Sequence, residues 1–200
     1  MEGIMHRFDE IIELVRSVAP ESVGNLKPPA TSTEIGMIQR EIPDVPQELL
    51  DLLRLHNGEE AISWISILPN GMQLMNVSLI LEFSSYRRST KDDFIHNLEE
   101  LVAANVMDMP AGPVKPVFSS SRRIPFAQFN ADTTWQFDMD PAAGGKVGQI
   151  VEEYSEGGIL RVLAPSLSQL FDAYADDLKK GIFYADEEGQ IVSDHEVWPN

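Results

Sequence analysis

The chain contains no cysteine, which removes disulfides, thiolate metal sites and cysteine nucleophiles and fits an intracellular protein. Basic residues are scarce: 15 Lys and Arg stand against 32 Asp and Glu, a formal net charge of −17. A protein that tracks nucleic-acid phosphates needs the opposite balance, so nucleic acid is not an expected partner. Long apolar runs are also missing. Asp9, Glu10 and Glu13 interrupt the opening MEGIMHRFDEIIELV, which leaves no signal-peptide core, and no later stretch is long enough to span a bilayer. The expectation is a soluble, cytoplasmic chain that does not enter membranes. The histidines, His6, His56, His96 and His195, are scattered without ligand or triad spacing. There is no Gly-x-Ser-x-Gly elbow and no phosphate-cradling glycine loop, so no constellation supports catalysis and no cofactor is expected.

What is present is enough apolar sequence for one core: 43% hydrophobic residues in a chain of 200. Phe8, Ile11, Ile12, Val15 and Val18 recur at helical spacing, and Pro20 closes that segment. The stretch 22–30, with Gly24, Pro28 and Pro29, reads as a linker. Thr31 and Glu34 have capping-box spacing and start a helix that Ile42-Pro43 ends. Pro46 suits the first position of a leucine-rich helix that Asn57-Gly58 terminates. Segment 61–68 reads as a strand, 69–71 as a turn into a short run at 72–75, and 78–87 and 92–104 as helices. Segment 114–118 reads as an edge strand.

The stretch 124–151 then carries a meander. Ile124-Pro125-Phe126-Ala127 forms one strand, Asn130 to Thr133 a turn, and Trp135, Phe137 and Met139 alternate with Gln136, Asp138 and Asp140 in a second strand that Pro141 stops. Gly144 and Gly145 allow a tight reversal into a third strand over 147–151. A further strand over 160–163 precedes a helix capped by Ser166 and stopped by Gly181. Helices and strands are segregated rather than alternating. The fold class is therefore α+β, a mostly antiparallel meander sheet flanked by helices. The expected organisation is a helical arm and linker over 1–27, the α+β domain over 28–185 and a polar tail over 186–200.

Five blocks in this order resemble the SUKH superfamily, the group of Smi/Knr-type fungal cell-wall regulators and bacterial toxin-immunity proteins. They are Ala30-Thr31-Ser32-Thr33-Glu34-Ile35; Val45-Pro46-Gln47-Glu48-Leu49-Leu50 with His56-Asn57-Gly58; Ile124-Pro125-Phe126-Ala127; Phe137-Asp138-Met139-Asp140-Pro141 leading to Gly144-Gly145-Lys146-Val147-Gly148-Gln149-Ile150; and Val162-Leu163-Ala164-Pro165-Ser166. The chain departs from that pattern at Arg123, where the family often has tryptophan, and at 130–133, where it has a glycine-rich turn. The resemblance implies protein binding rather than catalysis. On that basis the expected partner is a cognate toxin with a basic surface, and the alternative is a regulatory scaffold of the fungal cell-wall type.

Asp132, Asp138 and Asp140 around Trp135 raise a third possibility, a metal-dependent hydrolase. Strand alternation speaks against it. Asp138 and Asp140 point one way and Trp135, Phe137 and Met139 the other, so the aspartates read as the solvated face of a half-buried strand, and no metal is expected. The candidate partner-binding residues are Glu59, Glu60, Trp64, Asp132, Trp135, Asp138 and Asp140, aromatic anchors beside carboxylates that could share one face. Trp135, with apolar strand neighbours, reads more readily as a core residue than as an anchor.

Overall fold

A computed structural model describes residues 2–60, 64–89, 110–117, 119–130, 132–154, 159–194 and 198–199. The helix expected over 92–104 and residues 61–63 lie outside the described residues. Six helices are described: α1 (Glu2–Val18), α2 (Pro20–Gly24), α3 (Ser32–Glu41), α4 (Gln47–Leu55), α5 (Val77–Ser89) and α6 (Leu167–Lys179). Strands β1 (Gln73–Leu74), β2 (Arg123–Phe129), β3 (Thr133–Asp138), β4 (Gln149–Tyr154) and β5 (Ile159–Ala164) form one sheet in sequence order. Every pairing in it is antiparallel. The α+β meander is thus the architecture, with a small antiparallel hairpin, β6 (Phe183–Ala185) and β7 (Ile191–Ser193), added after α6. Among the described residues no helix is long and apolar enough to cross a membrane.

Local chemistry accounts for the element ends. The Thr31 hydroxyl accepts from Glu34 N while the Glu34 carboxylate accepts from Thr31 N, a reciprocal capping box that satisfies two otherwise free donors at the start of α3. Ser166 caps α6 by accepting from Gln169 N. The carboxylate of Glu48 on α4 also accepts from Leu167 N and Ser168 N at 3.2 and 3.0 Å, tying two helices together through one helix N-terminus. Pro125 sits inside a paired strand, and the register of β2 against β3 shifts between Pro125 and Ala127. A bulge there is what accommodates a residue with no N–H to donate.

One face of the sheet packs on the helices. Ile124, Phe126, Phe137 and Ile150 enter a single apolar core with Ile4, Phe8, Ile11 and Val15 of α1 and Leu170, Phe171 and Tyr174 of α6. Phe8 stacks on Phe171 with centroids 5.3 Å apart. Arg7 meets Asp172, and Lys179 meets Glu10, each at 2.6 Å across the same helix pair. The N-terminal segment is therefore not an arm apart from the domain. Its apolar stripe faces α6, and α1 closes before Pro20, which opens the short α2. The C-terminal expectation is corrected likewise: 183–193 form a hairpin, and Trp198 is buried against Trp135, Tyr174 and Phe183.

Two strand expectations fail for identifiable reasons. Residues 64–68 are irregular, because their polar groups are claimed by side chains. Ile67 N donates to Glu59, Ile67 O accepts from Tyr174 Oη, and Ile65 O accepts from Asn25. Residues 114–117 are also irregular, and Phe118 lies outside the described residues. The carbonyls of Lys115 and Val117 accept from the Arg123 guanidinium instead of from a neighbouring strand. Proline at 113 and 116 removes the donors that a ladder would need.

Gly58 marks the closest backbone approach. It has φ +76°, and a Cβ there would lie 2.5 Å from Asn76 N and 2.7 Å from Met75 C. Gly58→Ala should lower the unfolding free energy by about 2 kcal/mol, combining overpacking against rigid backbone with a left-handed backbone angle. Urea unfolding would measure it, and an unchanged midpoint would contradict this packing.

Candidate protein-binding surface

The seven candidate residues divide by burial. Glu59, Trp135 and Asp138 are 4%, 3% and 1% exposed, so none of the three presents a side chain to a partner on this surface. Glu60, Trp64 and Asp140 are exposed and Asp132 is half-buried. Asp132 and Asp140 lie at opposite ends of β3, and Asp140 pairs with Lys115 at 2.6 Å. The structure therefore brings Trp64 and Glu60 into one neighbourhood, with Asp132 in the turn after Phe129, and places Asp140 elsewhere.

The solvated-face reading of Asp138 is corrected. Thr134, Gln136 and Asp138 do point away from Trp135 and Phe137, but that second face is covered too. Segment 110–117 crosses it, bridging to β5 at Ala111 and Arg161 and offering Pro113 O to Gln149 Nε2 at 3.0 Å. Val114, Val151 and Leu160 make a small apolar cluster there. Beside it lies a buried ionic network. Glu153 accepts from Arg87 Nη2 at 3.3 Å, from Arg123 Nη1 at 3.2 Å and from Ser119 N at 3.0 Å. Arg87 also donates to Gln136 Oε1. Arg123 Nη2 donates to Lys115 O at 2.7 Å, and its Nε stands 3.9 Å from Asp138. Gln149 Nε2 donates to the other Asp138 oxygen at 3.1 Å. Two cations thus balance two anions out of water. Burial lowers the Arg87 pKa, Glu153 opposes that, and the neighbouring Arg123 adds to the lowering. These groups hold the sheet to its second cover, and none is aimed at solvent.

The accessible site is built around Trp64, which is 53% exposed and leans on Phe129 with ring centroids 5.2 Å apart at 45°. Its loop is fixed from beneath. Glu59 accepts from Ile67 N at 2.8 Å and from Leu74 N at 2.7 Å, and its Oε2 lies 2.9 Å from Ser66 Oγ. Asn25 Nδ2 holds Ile65 O at 2.8 Å, and Tyr174 Oη holds Ile67 O at 2.9 Å. Glu59 is therefore a positioning residue for this surface rather than a contact. Its burial raises its pKa to about 7, against the lowering by its hydrogen bonds from Leu74 N, Ile67 N and Ser66.

The hairpin turn between β6 and β7 flanks the same aromatic pair. A Cβ on Gly189 would lie 3.9 Å from Ile65 Cδ1, and one on Gly71 would lie 3.1 Å from both the Phe129 ring and Gln190 Nε2. The Asp186 carboxylate holds this turn by accepting from Glu188 N and Gln190 N at 2.9 and 2.8 Å, which leaves Glu187 and Glu188 exposed. Phe129, Glu187 and Glu188 were not among the sequence candidates. Their signal was the Asp-x-x-Gly turn between two short apolar runs, hidden by the polar reading of the tail. Glu60 sits at the other side, 3.6 Å from Lys27.

Among the described residues no group of three or more histidine or carboxylate side chains is placed to hold a metal ion. No protein-family model matches the chain, and no curated protein matches it in sequence.

Proposed function

We propose that this chain is a non-catalytic protein-binding domain of the SUKH type, an immunity protein that acts in the cytoplasm by occluding a cognate toxin with a basic surface. The observation that carries this reading is the half-exposed Trp64, packed on Phe129 and edged by the acidic hairpin turn. An aromatic anchor whose position is already fixed loses little entropy on binding and fills a partner's pocket, while carboxylates around it steer a cationic partner and reject acidic ones. The formal charge of −17 supports the same partner chemistry. The order of sequence blocks supports the family.

Tagged protein recovered from its native host should retain one dedicated basic partner, whose growth-inhibiting activity is neutralised at one-to-one stoichiometry. Recovery of several signalling proteins would favour the regulatory scaffold instead, and a captured partner that stays active would sink the immunity reading. Within that complex, Trp64→Ala should weaken affinity by about 30-fold, the roughly 2 kcal/mol of an aromatic hot spot, with folding stability unchanged. Glu187→Lys with Glu188→Lys should act mainly on the association rate, and the wild-type rate should fall with added salt. Calorimetry and stopped-flow kinetics separate the two effects.

A further inference from the structure

We propose that a pocket remote from Trp64, between the α3–α4 connection, the last turn of α5 and the start of β2, binds an apolar α-carboxylate of single-amino-acid size. The cavity is about 180 Å³ and is lined by Ile42, Pro43, Ile124 and Met139 together with Ser121, Arg88 and Arg122. That is smaller than the roughly 300 Å³ at which pockets for drug-sized ligands begin. It has room for one branched side chain and its carboxylate.

The chemistry of the walls selects the ligand. Ile42 and Ile124 are each 4% exposed and supply a buried apolar floor. Both charged walls are guanidinium groups, in a chain whose surface is overwhelmingly acidic. Arg7, Arg16, Arg40, Arg54, Arg87, Arg123 and Arg161 each have a carboxylate within 3.9 Å. Arg122 makes one long, exposed pair with Asp44 at 4.0 Å, and Arg88 has no carboxylate partner among the described residues. Among the described residues Arg88 and Arg122 are therefore the guanidiniums least engaged by carboxylates, and both line this one cavity. A guanidinium fork matches a carboxylate in two parallel N–H···O bonds, and two forks on one wall hold it against either face. An apolar body then covers Ile124 and Met139, which distinguishes this ligand from a bare inorganic anion.

The same chemistry comes from a free N-acyl amino acid or from the C-terminus of a polypeptide. The test uses N-acetyl-leucine, a pentapeptide ending in leucine, N-acetyl-leucinamide and inorganic phosphate, each titrated into the full chain and followed by two-dimensional amide NMR. N-acetyl-leucine should bind with a dissociation constant on the order of 1 mM, as expected for so few atoms, and should shift the amides around Ile42 and Ile124. A tighter peptide identifies the ligand as a chain terminus, and equal affinities identify it as the free acid. Either outcome supports the site. Arg88→Ala with Arg122→Ala should lower affinity at least tenfold while leaving the thermal midpoint unchanged, and Arg88→Lys alone should recover only part of it. Equal binding of the amide, equal binding of phosphate, or no shift with any acid would each overturn the proposal.

Discussion

Glu153→Gln should lower the unfolding free energy by about 3–5 kcal/mol, the loss expected when one member of a buried ionic network is neutralised. Glu153 is 2% exposed and is shared by both buried guanidiniums, Arg87 at 3.3 Å and Arg123 at 3.2 Å. Glutamine keeps the volume and one acceptor oxygen but removes the charge. Among the described residues Asp138 is then the carboxylate left beside the two cations, with its contact to Arg123 at 3.9 Å. The main term is therefore an uncompensated charge in a low-dielectric interior rather than a lost hydrogen bond. That distinction is testable. Arg87→Met combined with Glu153→Leu removes one charge of each sign, leaves Arg123 with Asp138, and should destabilise by less than Glu153→Leu alone. Urea unfolding of the three variants would show it. Glu153→Gln within 0.5 kcal/mol of wild type, on the order of an ordinary surface substitution, would mean that the network is solvated and the second face open.

The same network explains what could be read in advance and what could not. Alternation along β3 identified Trp135 and Phe137 as the face against the helices, because a period of two is set by the pleat of a single strand. It could not reveal that Gln136 and Asp138 are also covered. The cover is segment 110–117 and Arg87 of α5, and contact between segments distant in sequence leaves no local periodicity. In the sequence Arg123 stands out only as a departure from the pattern the chain resembles. Its neighbours in the chain do not announce that it replaces a strand pairing for 115–117 by donating to their carbonyls. Caps behaved differently. Thr31, Glu34 and Ser166 act within three residues of themselves, so their chemistry is complete in the local sequence. The proposed binding surface falls between these cases. Trp64 and Glu60 were legible as an aromatic beside acids, but Phe129 and the 186–189 turn reach it only through the tertiary fold.

Raising the pH from 5 to 8 should cost the wild-type protein up to about 3 kcal/mol that the Glu59→Gln variant does not lose. The carboxyl titrates near 4.5 when unfolded and near 7 in the fold, where burial penalises its charge. Between those values the folded chain holds a proton that the unfolded chain has released. Stability is therefore fully present below about 4.5, falls as pH rises, and levels off above about 7, each tenfold change in the protonation equilibrium being worth about 1.4 kcal/mol. The surrounding atoms fit a neutral carboxyl. Ser66 Oγ lies between Glu59 Oε2 and the Met72 carbonyl oxygen and has one proton to give. If Glu59 is protonated it donates to Ser66, and Ser66 donates to Met72 O. If it is ionised, one of those oxygen pairs has no hydrogen between its members. Tyr174, whose hydroxyl faces the same loop, is held well above its ordinary value by burial and then by Glu59, so it stays neutral across the window. Glu10 and Glu34 have values lowered by hydrogen bonds, chiefly from Lys179 and from Thr31 N, and remain charged throughout it. The wild-type minus Glu59→Gln difference in unfolding free energy, measured by urea titration at several pH values, isolates the one carboxyl. A difference that does not change with pH would mean that Glu59 is ionised in the fold at pH 5. Because Glu59 fixes the loop under Trp64, the same titration should appear in the tryptophan emission of wild type, and it should vanish in Trp64→Phe.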